Sequence, residues 1–512
     1  MESTQRKRPL AWRLARFALL ALLLLAALVL GRFLWTARDR FPGYRVEVAI
    51  DAASALREPR PLRVGFGTVD ITPDVSDPRR PVWIAGFSSG KSALAVHDPL
   101  AAAAIAIDNG HARVAIVALD AIGFFHDDVI RVREAVPPDW KLDYVVVCST
   151  HNHSTPDLMG LWGPDPFHSG VDPAYRDRVI RSARDAIGAA VTNLAPARMA
   201  MHHVPVDPEG LVKDTRKPIV FDADLRFLHF TDATTGRTLG TLVGWGNHPE
   251  TPWSKNRDIT ADFPGVLRKA LAEGIPSTNG LFKAGLGGQH VFVNGAVGGL
   301  MTTHPSTVVT DPVTGERIQE PSHAKTRALG HQLALRVLER IASEPAPSVA
   351  SVPLTVHART LDLPLDNPMF LLGTWMGVLE RGYSRWLHFR TEVALLTLGD
   401  ASFACVPGEI YPEIVNGGIV RAPGGDFDVE PVEVPPLRQL MPGKVPFLLG
   451  LANDEIGYII PRSEWDQRAP HLFGESAPYG EINSCGPRTA PLLHAALRDL
   501  IEQQRLTQPP KR

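Results

Sequence analysis

Two histidines separated by one residue form the first group in the sequence that could bind a metal ion. His151 and His153 lie within Ser149–Asp157, which directly follows a run of β-branched residues. If the extended backbone continues through this segment, both side chains point to the same side, because side chains alternate along a strand. Imidazole nitrogens that converge at the end of a buried strand are common zinc ligands. Many histidine pairs with this spacing are ordinary surface or core residues, so the pair needs support from elsewhere in the chain.

Three more segments carry a polar side chain that could join this group, and the first two follow predicted strands. His248 stands in the first, Glu409 in the second and Tyr458 in the third, with Tyr479 further along the chain. Each has a simple structural alternative: a turn histidine bonded to the backbone, an acid that complements a helix N-terminus, and a half-buried aromatic residue. In combination with the histidine pair, the three segments favour one shared site over separate features.

These segments are predicted to lie on a mixed α/β scaffold. The runs Arg113–Leu119 and Tyr144–Cys148 predict buried strands, whereas Tyr175–Val191 has the apolar spacing of a helix. Further strands are predicted at Leu225–Phe230, Leu239–Trp245, Ser351–Leu361, Thr391–Leu398 and Phe403–Val406, and further helices at Phe263–Glu273, His323–Ile341, Glu409–Val420 and Thr489–Gln503. The segment 421–448 is rich in proline and glycine and is interpreted as loops within one domain, because the polar segments lie on both sides of it.

The N-terminus has the pattern of a membrane-targeting segment. Phe17–Leu30 contains no polar side chain, and the residues before it include five basic ones: Arg6, Lys7, Arg8, Arg13 and Arg16. A basic stretch followed by an apolar run is typical of a secretory signal. Because no small-residue cleavage site follows, we expect an uncleaved signal anchor in residues 1–40, with residues 41–512 outside the cytoplasm, in the periplasm or extracellular space. The alternative is secretion after signal cleavage.

Composition narrows the possible partners. With 53 basic and 55 acidic residues, the chain has a net charge of −2, whereas nucleic-acid-binding proteins usually carry a basic excess. The three cysteines, Cys148, Cys405 and Cys485, are too widely spaced for a zinc ribbon and allow one disulfide at most. No protein partner is evident. The apolar segment Met369–Leu379 predicts either a core helix or a lipid-facing lip over a pocket.

The ordered set of motifs resembles the N-terminal catalytic domain of the neutral/alkaline ceramidase family. Gly65–Pro73 is similar to the start of that domain, and Ser149–Asp157 resembles the family's THTHSGPG element. The similarity continues through His97–Leu100, Asn247–Glu250, Ala261–Gly265, Pro407–Glu409, the segment around Tyr458, and Cys485–Pro487. The resemblance covers roughly residues 62–505. It implies a large single catalytic domain of mixed α and β structure over residues 41–512.

The resemblance also implies a cofactor. The family holds one zinc ion, and its ligands fall here on His151, His248, Glu409 and Tyr458. Two neutral imidazoles and one carboxylate leave such a site with a net charge of +1, which favours ionisation of a bound water. A tyrosine ligand shifts toward the phenolate for the same reason.

Three further residues receive catalytic roles from the same resemblance. His153 corresponds to a general acid or base beside the metal, Tyr479 to the group that stabilises the oxyanion, and Arg216 to the residue that orients the substrate. The implied reaction is hydrolysis of an N-acyl lipid or related amide by attack of a zinc-bound water. The implied partners are therefore a small-molecule or lipid amide and, through the N-terminal helix, a membrane.

The chain departs from the family at the base of the expected pocket. Gly298 stands where ceramidases carry a serine that could hydrogen-bond a sphingoid head group. Losing a group that pairs with a substrate hydroxyl can cost discrimination of about 10⁴, so ceramide itself is a doubtful substrate. The sequence also ends soon after its last predicted helix, without the family's C-terminal immunoglobulin-like domain.

Two other functions remain open at this point. The glycine at position 298 would also suit a non-catalytic descendant of the fold that binds a lipid or glycan. Gly246–Glu250 is superficially similar to the GNH[DE] element of metallophosphoesterases, but the other motifs of that class do not occur in the required order. We therefore expect a zinc-dependent amidase first, a non-catalytic binding protein second and a metallophosphoesterase third.

Overall fold

The computed structural model describes residues 10–343, 346–473 and 479–507, so Arg6, Lys7 and Arg8 of the predicted basic stub lie outside the described residues. The strands, numbered in chain order, are β1 (Glu47–Ile50), β2 (Arg63–Asp70), β3 (Ala95–Val96), β4 (Ala101–Asp108), β5 (Arg113–Leu119), β6 (Tyr144–Ser149), β7 (Ala195–Val204), β8 (Leu225–Asp232), β9 (Thr238–Trp245), β10 (Asp258–Ile259), β11 (Gly274–Ser277), β12 (Gly280–Ala284), β13 (Gln289–Asn294), β14 (Val309–Thr310), β15 (Arg317–Ile318), β16 (Leu354–Pro364), β17 (His388–Leu398), β18 (Ala401–Cys405), β19 (Glu409–Ile410), β20 (Val445–Leu449) and β21 (Tyr458–Ile459). The helices are α1 (Leu10–Thr36), α2 (Ala53–Arg57), α3 (His126–Ala135), α4 (Pro173–Thr192), α5 (Asp262–Glu273), α6 (His323–Ser343), α7 (Pro368–Met376), α8 (Pro412–Asn416), α9 (Leu437–Leu440), α10 (Tyr479–Ile482) and α11 (Thr489–Thr507).

Two mixed sheets pack face to face and share one core. The larger has the order β13-β9-β8-β7-β2-β4-β5-β6, and the smaller has the order β1-β16-β17-β18-β20. Alternation along β5 shows the arrangement: Val114 and Ile116 lie in the core between the sheets, whereas Ala115 and Val117 pack on the opposite face. A strand buried on both faces in this way reads as a continuous apolar run, which is why the sequence predicts this strand correctly.

Helices cover the outer face of each sheet, which gives a four-layer α/β/β/α body. Helices α3, α4, α5 and α6 pack on the larger sheet, and α8, α9 and α11 pack on the smaller one. Close contact of α4 with β2 depends on Gly65 and Gly67. A Cβ atom at Gly65 would lie 2.1 Å from the carbonyl oxygen of Ala190, and one at Gly67 would lie 2.4 Å from that of Ala186. The glycines of the opening motif therefore serve packing.

Most predicted elements appear with shifts of a few residues at their ends, but the helix predicted at Glu409–Val420 is wrong. Glu409 lies in β19, which pairs in parallel with β21 so that Glu409 is directly opposite Tyr458. The helix α8 begins only at Pro412, because proline suits the first position of a helix, where its missing N–H costs nothing. The apolar residues that suggested a longer helix belong to a buried strand and turn instead.

Among the described residues, α1 is the one helix that is long and apolar enough to cross a membrane. It has 27 residues, and the span tested lies wholly outside the packed body. A signal sequence near an N-terminus has the same properties. Length and composition therefore support a membrane-targeting role, in line with the sequence, and leave cleavage undecided between the two expectations.

A buried ion pair joins helix α3 to the smaller sheet, beside the core between the two sheets. Arg133 of α3 donates from both terminal nitrogens to Glu392 of β17, each at 2.8 Å. Tyr144 of β6 donates its hydroxyl to the same carboxylate, and Asn453 donates its amide at 3.1 Å. Although burial alone would raise it, the pKa of Glu392 is lowered, mainly by Arg133. The network connects an outer helix, both sheets and the loop before Tyr458.

We predict that Glu392→Gln destabilises the protein by about 3–5 kcal/mol, because it leaves the Arg133 guanidinium buried without a counter-charge. The matched control is Asp428→Asn, which removes the exposed partner of Arg421 and should cost no more than about 1 kcal/mol. Urea unfolding followed by tryptophan fluorescence measures both. Equal losses of unfolding free energy in the two variants would contradict a special role for the buried ion pair.

Candidate metal centre and its pocket

The loops that carry the candidate ligands meet at the carboxyl ends of β6, β9 and β13. Asn294, the last residue of β13, donates its side-chain amide to the carbonyl oxygens of Thr150 and Asn247, each at 2.9 Å. Its own side-chain oxygen accepts from the backbone N–H of Asn247 at 3.1 Å. One buried amide therefore fixes the loop before His151 and the loop before His248 relative to each other.

His151 has a backbone conformation that few residues other than glycine adopt. Its φ is 67°, a left-handed value that costs energy unless the surroundings enforce it. The next residue, Asn152, is held on both sides: its backbone N–H donates to Ala121 O at 3.0 Å, and its side-chain amide donates to Thr260 O at 2.7 Å. The turn therefore holds the imidazole in place without help from a ligand.

The imidazoles of His151 and His248 each have the Nδ1 atom in a hydrogen bond to the backbone. His151 Nδ1 lies 2.7 Å from Ile122 O, and His248 Nδ1 lies 2.7 Å from Met301 O. A carbonyl oxygen only accepts hydrogen bonds, so both Nδ1 atoms carry the proton. In the neutral rings each Nε2 then presents a lone pair, as a metal ligand must.

Glu409 brings a carboxylate to the same point. Its Oε2 atom lies 3.0 Å from His248 Nε2 and 3.3 Å from His151 Nε2. Burial raises the pKa of Glu409, but His151 and His248 lower it far below its usual range. Burial lowers the pKa of His248, but Glu409 more than reverses this. Three acceptor atoms in contact need positive charge between them, from a proton or a metal cation.

His153 completes a group of three imidazoles. Its Nε2 lies 3.4 Å from His151 Nε2, and the ligand atoms of His151, His153 and His248 all lie within 4.8 Å of one another. A tetrahedral zinc site with ligands at about 2.0–2.1 Å has ligand-to-ligand distances of about 3.3 Å. The distances of 3.0 and 3.3 Å from Glu409 Oε2 to the two Nε2 atoms match that size, and His153 Nε2 lies within the same range of His151. The donor set therefore fits a small divalent cation.

Glu250 is a site residue that the sequence argument missed. Its Oε2 lies 3.1 Å from His153 Nδ1, and its Oε1 accepts from the Thr302 hydroxyl at 2.6 Å. The pair leaves His153 Nε2 directed at the other imidazoles. Burial lowers the pKa of His153 to about 4 despite Glu250, so the ring is neutral at ordinary pH. The signal for Glu250 in the sequence is its position two residues after His248, within the segment Gly246–Glu250.

Two tyrosines lie beside the carboxylate. Tyr458 sits opposite Glu409 in the β19–β21 pair, and burial together with Glu409 raises its pKa well above the usual value. The rings of Tyr458 and Tyr479 are 5.9 Å apart and edge-to-face. About half of Tyr479 is exposed (53 %), yet burial of its hydroxyl and the charges of Glu409 and Glu250 raise its pKa to about 12. Both phenols are therefore neutral donors.

Arg216 does not reach this group. Its Nη2 atom is 2.7 Å from Glu481 and 2.9 Å from Glu464 O, and its guanidinium stacks on Tyr411. The ion pair is buried, and Arg216 does not line the pocket that contains the histidines. The structure thus brings together six of the seven predicted residues and sets Arg216 apart.

An apolar pocket of about 530 Å³ connects the histidines to the surface. His151, His153, Glu409, Tyr458 and Tyr479 line it, whereas His248 is not part of its lining. The walls are mainly apolar and include Phe87, Phe125, Leu161, Trp162, Met369 and Phe370. A cavity of this size and character suits a ligand with a long apolar part and few polar groups.

Glu455 is a second residue that the sequence argument missed. It lines the pocket, and its Oε2 atom is buried without a hydrogen-bond partner. Burial, followed by the charge of Glu409, raises its pKa well above the usual range. A neutral carboxylic acid beside the Glu409 carboxylate adds no second negative charge to the site.

Comparison with known proteins gives matches in structure only. No family model matches the chain, and no curated protein matches its sequence. Two solved structures, the crystal structure of neutral ceramidase from Pseudomonas aeruginosa and a ceramidase complexed with C2, each match with a TM-score of 0.64. In both, sequence identity is 15 %, and the match covers 88 % of this chain and 76 % of the other. The predicted neutral-ceramidase-like fold is confirmed.

We predict that His151→Ala and His248→Ala abolish binding of a divalent metal, because each removes a fixed lone pair from the centre. His153→Gln should retain the metal if Tyr458 completes the site, and should lose it if His153 is itself a ligand. The control is His203→Ala, which removes an exposed histidine paired with Asp224. Elemental analysis of the purified variants measures the stoichiometry. Unchanged metal content in both alanine variants would refute the assignment.

Gly298 cannot be replaced by the serine that the family resemblance places there. A Cβ atom at this position would lie 2.2 Å from the ring of Tyr411 and 2.6 Å from its backbone nitrogen. We predict that Gly298→Ser lowers the unfolding free energy by about 1–3 kcal/mol, as overpacking does. Gly425→Ser is the control, since its nearest neighbour is 3.2 Å away in a surface loop. A stable Gly298→Ser variant would show that the backbone here can move aside.

Proposed function

We propose that the chain is a zinc-dependent hydrolase that cleaves the amide bond of an N-acyl lipid or related compound. The observation that carries the proposal is the convergence of two Nδ1-anchored imidazoles on the Glu409 carboxylate, beside an apolar pocket that His151 and Glu409 line. Residues 41–512 form the hydrolase domain in this proposal, and residues 1–40 anchor it.

Zinc is the metal that best suits the donors. Imidazole nitrogens with one carboxylate oxygen are typical of catalytic zinc sites, which keep one position open. Such an ion supplies polarisation of the amide carbonyl and activation of water. His151, His248 and Glu409 would hold it, with Tyr458 as the fourth ligand in the arrangement that the family resemblance implies. A cation at this point would oppose the raised pKa of Tyr458 and favour its phenolate.

The chain's own residues then handle protons and charge. His153 is neutral at ordinary pH and is oriented by Glu250, so it can take a proton from the attacking water and deliver it to the leaving nitrogen. Water adds its oxygen to the carbonyl carbon to give a tetrahedral oxyanion, and collapse of that oxyanion breaks the carbon–nitrogen bond. The products are a carboxylic acid and an amine, which pass the remaining proton between them to give a carboxylate and an ammonium ion. Tyr479 keeps its proton up to a pKa of about 12 and donates to the oxyanion as it develops.

The pocket suits the acyl chain of a substrate but lacks the polar contacts that the family resemblance implies for a ceramide head group. Its walls are apolar, Gly298 leaves no room for a hydroxyl-bearing side chain, and Arg216 is engaged by Glu481. The substrate we propose is therefore an N-acyl amide whose recognition rests on its chain, and ceramide is not the favoured example.

A non-catalytic binding protein is the second candidate, and Gly298 is the observation that favours it. In that case the pocket would hold a lipid or glycan, and the metal would be structural. The hydrolase and the binding protein would both contain metal, but only the hydrolase would turn over an amide, so an assay of amide hydrolysis separates them.

We predict that the full chain, loaded with zinc in detergent, releases amine and carboxylate in equal amounts from a long-chain N-acyl amide and leaves a phosphodiester intact. Tyr479→Phe should lower kcat by about 10²–10³-fold, the usual effect of losing one oxyanion donor, with zinc content unchanged. Tyr175→Phe is the control, because Tyr175 bonds Ile71 O outside the pocket. Bound zinc without turnover of short or long amides would favour the binding protein.

A further inference from the structure

We infer that the exposed face of α7 rests in the interface of the membrane that α1 spans, so that the pocket opens toward the lipid leaflet. This α7 face consists of Met369, Leu372 and Trp375. The inference rests on α1 being a retained span and stands apart from the proposed reaction. The partner is a lipid bilayer.

The last turn of α1 is bonded to the end of α7. Arg32 donates from Nη2 to Met376 O at 2.8 Å, and the Thr36 hydroxyl donates to Trp375 O at 3.3 Å. Phe33 packs edge-to-face on Trp375 and Trp386, with ring centroids 4.7 and 5.5 Å apart. The backbone carbonyls left free at the C-terminus of α7 are thus paired by polar side chains of α1.

The segment after α1 continues into the body without a free linker. Asp39 forms a bidentate ion pair with Arg390, with nitrogen-to-oxygen distances of 2.7 and 3.0 Å. Ala37 O accepts from the backbone N–H of Tyr383 at 3.0 Å, and Arg40 donates to Glu380 O at 2.6 Å. Because these contacts leave little freedom between helix and body, the direction of α1 determines which surface faces the membrane.

The tryptophans of α1 indicate its depth in a bilayer. Trp12 and Trp35 lie near opposite ends of the helix, and the 23 residue steps from one to the other correspond to about 35 Å of helix. Hydrocarbon about 30 Å thick with tryptophan at each interface matches this separation. Phe33 and Trp35 then lie at the outer interface, and Trp375, in contact with Phe33, lies at the same level.

The exposed side of α7 is apolar, although nothing in the described body covers it. Met369, Leu372 and Trp375 are exposed by 62 %, 44 % and 40 %, and their spacing of three residues places them on one side of the helix. Met369 and Leu372 also line the pocket, together with Phe370 and Gly373, so this face forms the edge of the pocket. The helix contains no charged residue, so the lip predicted from its sequence is the interpretation that the exposure supports.

The rim of the pocket extends this surface away from α1. Phe167 is exposed by 64 % and Ile482 by 46 %, and both line the mouth. Arg38 and Arg385 are exposed beside the α1 contact, where they suit anionic head groups. An apolar rim with basic residues at the end of a membrane span is typical of an interfacial surface. A chain-like ligand in the outer leaflet would enter the pocket sideways, without crossing water.

Site-specific fluorescence in lipid nanodiscs tests the inference on the full chain. Leu372→Cys carries an environment-sensitive dye, and labelling is selective because Cys148, Cys405 and Cys485 are buried. The matched control is Leu281→Cys on β12, which is also exposed (58 %) and touches neither α1 nor α7 in the described contacts. Nanodiscs of phosphatidylcholine and phosphatidylglycerol, with or without a shallow doxyl-labelled lipid, provide the quencher.

We expect the doxyl lipid to remove most of the fluorescence at position 372 and little at position 281. No quenching at 372, or equal quenching at both positions, would overturn the inference. A second variant, Trp375→Gln, lies on the same face but does not line the pocket; it should raise KM for a bilayer-embedded N-acyl amide and leave a soluble short-chain amide unchanged. If no amide is hydrolysed, the proposed function fails, and the quenching result still decides whether the α7 face contacts lipid.

Discussion

Two imidazole lone pairs and a carboxylate oxygen cannot share a buried space without positive charge between them, and the structure holds these three groups together. Glu409 Oε2 lies 3.0 and 3.3 Å from the two Nε2 atoms, while both Nδ1 protons are committed to backbone carbonyls. Desolvation makes the arrangement costly in an apolar setting. The folding free energy of the two packed sheets must therefore hold these three groups together. A bound cation would remove the unfavourable contact between them, so metal binding and folding would be coupled.

The scaffold supplies this constraint through connections that cross between sheets. Asn294 ties the two histidine loops of the larger sheet, whereas Glu409 follows β18 of the smaller one. The ligands therefore converge only when the sheets pack in one register. The Arg133–Glu392 ion pair lies near that junction and reaches Asn453, a few residues before Tyr458. Stability and site geometry are linked here by shared residues.

Sequence patterns predicted those parts of the molecule that depend on local chemistry. Apolar runs predict strands such as Arg113–Leu119 because burial on both faces leaves a clear signature, and the ordered motifs predict the histidines that the structure brings together. An acid directly after a strand predicts a helix that begins at Glu409, whereas pairing with Tyr458 makes this segment a strand. Glu250 and Asn294 act through contacts with residues distant in sequence, and the ion pair of Arg216 with Glu481 has no local signal at all.

Contacts between α1 and α7 give the N-terminal helix a second physical role besides targeting. A cleaved signal would leave Trp375, Trp386 and the α7 carbonyls exposed to water, at the cost of apolar hydration and unpaired acceptors. The fit of Arg32 and Phe33 to that surface is the contact on which the inferred retention of the helix depends. A helix retained in this way would also place the exposed Met369, Leu372 and Phe167 at the edge of the pocket against lipid instead of water.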